Sequence, residues 1–170
     1  MKKSIITLSF LIASLLFTSC EFSKGVKKDL NTGLYASYNG LSAENIFLAA
    51  ADDSPLTDNQ ITLGSKVKII ADGVNNFKVV GNKVFPGCSI LLLSPTNDSI
   101  FYIQDAYQDL AGGQDADQAN YLSASLTTGD PIKINETYSL KVRFYDKKDT
   151  TSFIKAECSL KIIATPSVKM

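Results

Sequence analysis

The 170-residue chain contains no histidine and no tryptophan. Without histidine there is no general base that titrates near neutral pH, no Ser-His-Asp or Cys-His nucleophile system, and no imidazole ligand for zinc or copper. Without tryptophan, the strongest platform for cation–π contacts is missing. Paired carboxylates are the catalytic apparatus these absences leave open, so the chain reads as a non-enzyme that needs no cofactor. A small hydrolase working with acidic residues is the alternative. Basic and acidic residues balance at 17 each. A strong positive footprint is therefore absent, which excludes nucleic acid as a partner. Past the first twenty residues no apolar run approaches the 18 or so residues of a membrane-spanning helix.

What is present begins at the amino terminus. Lys2 and Lys3 precede an apolar stretch from Ile5 to Phe17, and Thr18-Ser19 then lead into Cys20. A positive start, a short apolar core and small residues before a cut site make a secretory signal peptide. The run Leu16-Phe17-Thr18-Ser19-Cys20 resembles a lipobox, with Phe17 where leucine is usual and Ser19 where glycine or alanine is commoner. The resemblance implies cleavage before Cys20 and lipidation of its thiol. Each buried CH₂ contributes about 0.8 kcal/mol, so several acyl chains together hold a protein at a membrane essentially permanently. The expected address is the cell envelope, lipid-anchored to the outer membrane, with the membrane itself as one partner through Cys20. An ordinary secretory cut near Ser19 is the alternative. Removal of Lys2 and Lys3 with the signal leaves 15 basic against 17 acidic residues, a formal charge of −2.

The remainder divides by composition into a lipidated Cys20 with a polar, Lys-rich tether over 20–33, N-terminal strands or an extension over 34–58, and a β-sandwich over 59–166. Short β-type runs alternate with turn clusters at 8–12 residue spacing, as in an antiparallel sandwich. The expected strands are Leu34–Tyr38, Asn45–Ala50, Ile61–Leu63, Val67–Ala71, Phe77–Val80, Lys83–Phe85, Cys88–Leu93, Ser99–Gln104, Tyr121–Thr127, Ile132–Ile134, Tyr138–Tyr145 and Ser152–Ala164. Asn45–Ala50 is ambiguous with a helix because of its alanines. Asn82 and Pro86-Gly87 mark turns, and the continuous apolar run after Gly87 suits a strand buried on both faces. Tyr138, Leu140, Val142 and Phe144 alternate with Ser139, Lys141 and Arg143, the pattern of a half-buried strand. Asn135-Glu136-Thr137-Tyr138 is similar to the segment of immunoglobulin-like domains in which a tyrosine bonds back to the preceding loop. Leu140 stands where an antibody domain carries its second cysteine, so an antibody-type disulfide is not expected. With Val84-Phe85-Pro86-Gly87, Leu122-Ser123-Ala124-Ser125-Leu126 and Tyr145-Asp146-Lys147-Lys148, the stretch from Gly81 to Ile163 resembles uncharacterised Bacteroidota lipoproteins with a C-terminal β-sandwich. That resemblance implies fold and address, and no activity.

Cys88 and Cys158 both fall at core-facing parity. They would form either a disulfide joining two strands, in a compartment where one persists, or two separate buried thiols. The long polar loop Asp105–Asn120 is the expected recognition element for a protein or glycan partner. Its Asp105, Tyr107, Asp109, Asp115 and Asp117, with Tyr121 at its end, offer aromatic faces beside carboxylates. Asp109, Asp115 and Asp117 around Gly112-Gly113 make a weak calcium candidate without EF-hand spacing, and solvated loop acids that cap a short turn are the commoner explanation. Asp98-Ser99-Ile100 and Asp149-Thr150-Thr151 resemble O-glycosylation sites of exported Bacteroidota proteins, with Ser99 and Thr150 as acceptors.

Overall fold

A computed structural model describes residues 24–165, which form an all-β sandwich of two sheets. The signal peptide and Cys20 lie outside the described residues. Ten strands follow in chain order: β1 Lys24–Lys28, β2 Tyr35–Asn39, β3 Asn45–Ala49, β4 Gln60–Thr62, β5 Lys66–Asp72, β6 Pro86–Leu93, β7 Ser99–Ile103, β8 Tyr121–Thr127, β9 Thr137–Asp146 and β10 Asp149–Ile163. The large sheet runs β1-β2-β10-β9-β6-β7, with β4 pairing the far end of β10, and the small sheet runs β3-β5-β8. Every pairing is antiparallel except β4 with β10.

Alternation along the strands builds the core between the sheets. β9 buries Tyr138, Leu140, Val142 and Phe144, and β10 buries Ile154, Ala156, Cys158, Leu160 and Ile162. From the opposite sheet come Leu48, Val67, Ile69, Ala71, Leu122, Ala124 and Leu126, all in the same apolar cluster. Each such side chain contributes about 1.5–3 kcal/mol of transfer free energy when fully buried. A period-2 pattern can place them on one face only if the register is kept, because a one-residue slip would send all of them to solvent.

Several sequence expectations are corrected. Residues 24–33 are not a free tether: β1 pairs with β2 over five residues, Thr32 is buried, and the Cys158 thiol donates to the Thr32 carbonyl at 3.3 Å. Its lysines disguised the strand, because an edge strand needs few apolar residues. The division at 58/59 also fails, since β2 lies beside β10 and β3 beside β5, inside the sandwich. Asn45–Ala49 is strand, its ambiguity settled by pairing with β5. Phe77–Val80 and Lys83–Phe85 form no strand, only isolated bridges such as Val80↔Lys83. Ile132–Ile134 is loop as well, with Ile132 buried as a plug. Pro86 and Gly87 belong to β6, opposite Asp146 and Tyr145, rather than to a turn. β6 is also not buried on both faces: Cys88, Ile90 and Leu92 are interior, whereas Ser89, Leu91 and Leu93 are half-exposed.

Tyr138 makes the expected corner. Its hydroxyl accepts the Lys133 N–H at 2.9 Å and donates to the Glu136 carboxylate at 2.6 Å, tying the preceding loop to the start of β9.

Candidate functional site: a strapped loop and a cationic sheet face

The loop expected to recognise ligands is tied down at its base. After β7 ends, Cys88 in β6 has no strand neighbour on that side. The Asp105 carboxylate accepts the Cys88 N–H at 3.1 Å, and the Ala106 N–H donates to the Cys88 carbonyl at 2.6 Å. The same Asp105 oxygen accepts the Tyr107 N–H at 2.9 Å. Lys147, in the β9–β10 turn, pairs with Asp105 at 2.7 Å and donates to the Tyr107 carbonyl at 2.8 Å. Tyr107 then crosses to the small sheet, where its hydroxyl donates to the Ser123 carbonyl at 3.0 Å and accepts the Ser123 N–H at 2.8 Å. Its ring stacks on Phe144, with centroids 6.4 Å apart. Asp105 and Tyr107 thus close one side of the sandwich, and burial holds the Tyr107 phenol above its ordinary acidity range.

Burial works to raise the Asp105 carboxyl. The Lys147 ammonium and the hydrogen bonds from Cys88 and Tyr107 outweigh it and hold the group below its ordinary value of 3.8. A carboxyl depressed by folding stabilises the native state above its unfolded pKa, and that contribution disappears as pH falls through the folded value. Stability is therefore expected to fall below about pH 4 as the strap protonates. Urea melts of wild type and Asp105→Asn compared between pH 6 and pH 2 check this; the variant should start less stable and lose less over that interval.

Asp109, Asp115 and Asp117 are exposed, and among the described residues no group of three or more Cys, Asp or Glu side chains is placed to hold a metal ion. Asp109 lies within the short 3-10 turn Gln108–Leu110, and Asp115 and Asp117 lie at the start of a second, Ala116–Ala119, so the calcium candidate gains no support from a grouped set of acids. Tyr121 is 43 % exposed on the outer face of the small sheet. Burial and then the nearby Asp53 raise its phenol, while Asp53 itself pairs with Lys68. Tyr107 is thus engaged with β8, whereas Asp109, Asp115, Asp117 and Tyr121 stay exposed. Ser99 and Thr150 are both exposed.

Cys88 and Cys158 are buried and unbridged. Cys88 lies opposite Phe144 and hence in line with Ile154, two strands across the sheet. Cys158 sits four residues further along β10. Strand spacing of about 4.8 Å and a rise of about 3.4 Å per residue keep the pair well beyond the ~7 Å Cα limit for a disulfide. Parity placed both sulfurs in the core but could not measure that offset. Burial, then Asp105, pushes the Cys88 thiol up to about 12, and burial, then Asp29, pushes Cys158 up to about 11. Peptide mapping after treatment with a thiol-specific maleimide at pH 8 should find both unlabelled in native protein and both labelled in denaturant.

Sequence reasoning missed the outer face of the large sheet. Its registers set three rows side by side: Phe153, Tyr145 and Gly87; Val26, Ser37, Lys155, Arg143 and Ser89; and Lys28, Tyr35, Glu157, Lys141, Leu91 and Tyr102. The Arg143 guanidinium stands 5.0 Å from the Tyr145 ring centroid and 5.1 Å from that of Phe153. Lys155 lies 4.9 Å from Phe153. Tyr145 can lie flat because Gly87 has no side chain; a Cβ there would stand 2.3 Å from the ring. Beside these rings a hollow of about 220 Å³ is lined by Lys141, Arg143, Lys155, Tyr102, Leu91 and Glu157, among others. Lys28, Lys141, Arg143 and Lys155 thus share a face with one acid, Glu157, which pairs with Lys141 at 3.7 Å. The signal was in the alternation, since the polar partners of the core residues on β9 and β10 are mainly cationic or aromatic.

Fold and site together define an antiparallel β-sandwich with a cationic, aromatic sheet face. Compared with known proteins, the chain matches no family model and no curated protein. No helix among the described residues is long and apolar enough to cross a membrane.

Proposed function

We propose that the protein is a lipid-anchored, non-enzymatic module of the cell envelope that holds an acidic glycan on the outer face of its large sheet. The observation that carries this is the row of cations with Arg143 braced between Tyr145 and Phe153. Guanidinium held over rings offers its outward N–H groups to carboxylate or sulfate oxygens, and exposed tyrosines supply flat faces for sugar rings. Binding is favoured over hydrolysis because the shifted carboxyls, Asp29, Asp52, Asp53, Asp105 and Asp149, all lie below their ordinary value. A carboxylate hydrolase needs one carboxyl raised to act as acid. The immunoglobulin-like reading of the sandwich draws its support from the Tyr138 corner. Lipid on Cys20 would leave only Glu21, Phe22 and Ser23 before β1, a reach of about 15 Å. The anchor would then hold the β1 edge close to the bilayer.

Calorimetry with polygalacturonate fragments, sulfated oligosaccharides and neutral dextran tests the proposal. Acidic saccharides should bind with an affinity that falls as salt rises. The triple variant Lys141→Ala, Arg143→Ala, Lys155→Ala should lose about tenfold or more, and Tyr121→Ala should lose little. Equal binding of dextran, or unchanged binding by the triple variant, would overturn it. So would binding of vesicles rich in anionic lipid with none of the saccharides, which would assign the face to the membrane.

A further inference from the structure

The small sheet stops a strand early beside the β7 edge. β7 is the last strand of the large sheet on that side, and β8 is the corresponding last strand of the small sheet. Between them runs a crevice of about 380 Å³ lined by Leu92, Ile100, Phe101, Leu126, Ile132 and Pro131, with Asp130 as its one ionisable lining residue. Phe101 is 38 % exposed beside it.

The β8 edge can be read group by group. Antiparallel neighbours alternate between pairs that exchange both hydrogen bonds and pairs whose N–H and C=O point away. Thr128 N–H donates to the Ser65 carbonyl, on the β5 side. Ser123 gives both its main-chain groups to the Tyr107 hydroxyl, on the other side. The residues at the parity of Ser123 therefore face outward, which includes Ser125 and Thr127. Among the described residues neither has a main-chain partner on that side. A bare edge of this kind templates a further strand. The crevice beneath it provides room for the alternate side chains such a strand would bring.

We propose that the β8 edge takes up an extended strand from a partner polypeptide. Its main chain pairs with Ser125 and Thr127, and its inward side chains are apolar and sit over Ile100 and Phe101. A lysine or arginine of the strand meets Asp130, the single charge at the site. This site is separate from the glycan face and stands or falls independently of it.

A displayed library of peptides that alternate apolar and polar residues, selected against the full chain, tests the proposal. Enriched peptides should carry a basic residue next to the apolar series. They should slow amide exchange at Ser125 and Thr127 by tenfold or more. Ser125→Pro removes one outward N–H and leaves the β5 ladder intact, as proline is tolerated on the open side of an edge strand. It should weaken binding at least tenfold. Asp130→Lys should weaken only peptides with the basic residue, which keeps the test open if the proline variant folds poorly. No enriched peptide, or peptides that bind both variants like wild type, would overturn the inference. A concentration-dependent dimer abolished by Ser125→Pro would make a second copy the occupant. Fatty-acid binding indifferent to both variants, in place of peptide, would assign the crevice to acyl chains; either result also overturns it.

Discussion

Replacing Phe144 with alanine is expected to lower the unfolding free energy by about 3–5 kcal/mol. Phe144 is fully buried near the end of β9, between Cys88 on β6 and Ile154 on β10. It also supports the ring of Tyr107. Truncation would remove the transfer free energy of the ring and leave a void among β-sheet neighbours whose backbones are locked by ladder hydrogen bonds, so collapse is limited. Urea titration should show a lower midpoint with an unchanged slope, and thermal melting a fall of about 10 °C or more. A loss under 1 kcal/mol would mean that Phe144 is not packed against Cys88, Ile154 and Tyr107.

Substitution of Tyr107 should separate the two tasks of that side chain. Tyr107→Phe keeps the ring on Phe144 and removes the hydroxyl from Ser123, which leaves an N–H and a C=O of the β8 edge without a protein partner. The expected cost is about 1–3 kcal/mol, toward the lower end because water can reach this half-buried edge. Tyr107→Ala also removes the stacked ring and should cost about 3–5 kcal/mol. Combined with Phe144→Ala, the losses should fall short of additivity by about 0.5–1.5 kcal/mol, the measure of the ring contact. Tyr107→Phe also lengthens the open edge from Ser125 and Thr127 back to Ser123. Light scattering should therefore detect more self-association at equal stability loss than in a core variant. Equal costs for Tyr107→Phe and Tyr107→Ala would mean that the ring contributes nothing.

Residue types alone do not show how the base of the long loop is held. Asp105 and Tyr107 look like recognition residues because carboxylates and phenols in polar loops often serve that purpose. Their actual partners are a β6 amide 17 positions back, a lysine in the next hairpin and a β8 backbone 16 positions ahead. Nothing local in the sequence distinguishes a hydroxyl that closes a sheet edge from one that waits for a sugar. The cationic face was hidden for the opposite reason. Lys141, Arg143, Lys155 and Glu157 look like ordinary solvent-facing positions, and only the β9–β10 register sets Arg143 beside Lys155 and Lys141 beside Glu157.

From sequence alone came the all-β class, most of the strands, the core face of β9 and β10 and the corner at Tyr138. Each depends on a period of two or on turn chemistry, both local properties of the chain. Tertiary structure decided that Lys24–Lys28 is a strand, that Pro86-Gly87 lies within one, and that Ile132–Ile134 does not form one. It also decided that Cys88 and Cys158 stay apart and that the long loop is a strap. All of these depend on strand order and register, which are set by the collective burial of one face of each sheet and by which distant edge remains to be covered.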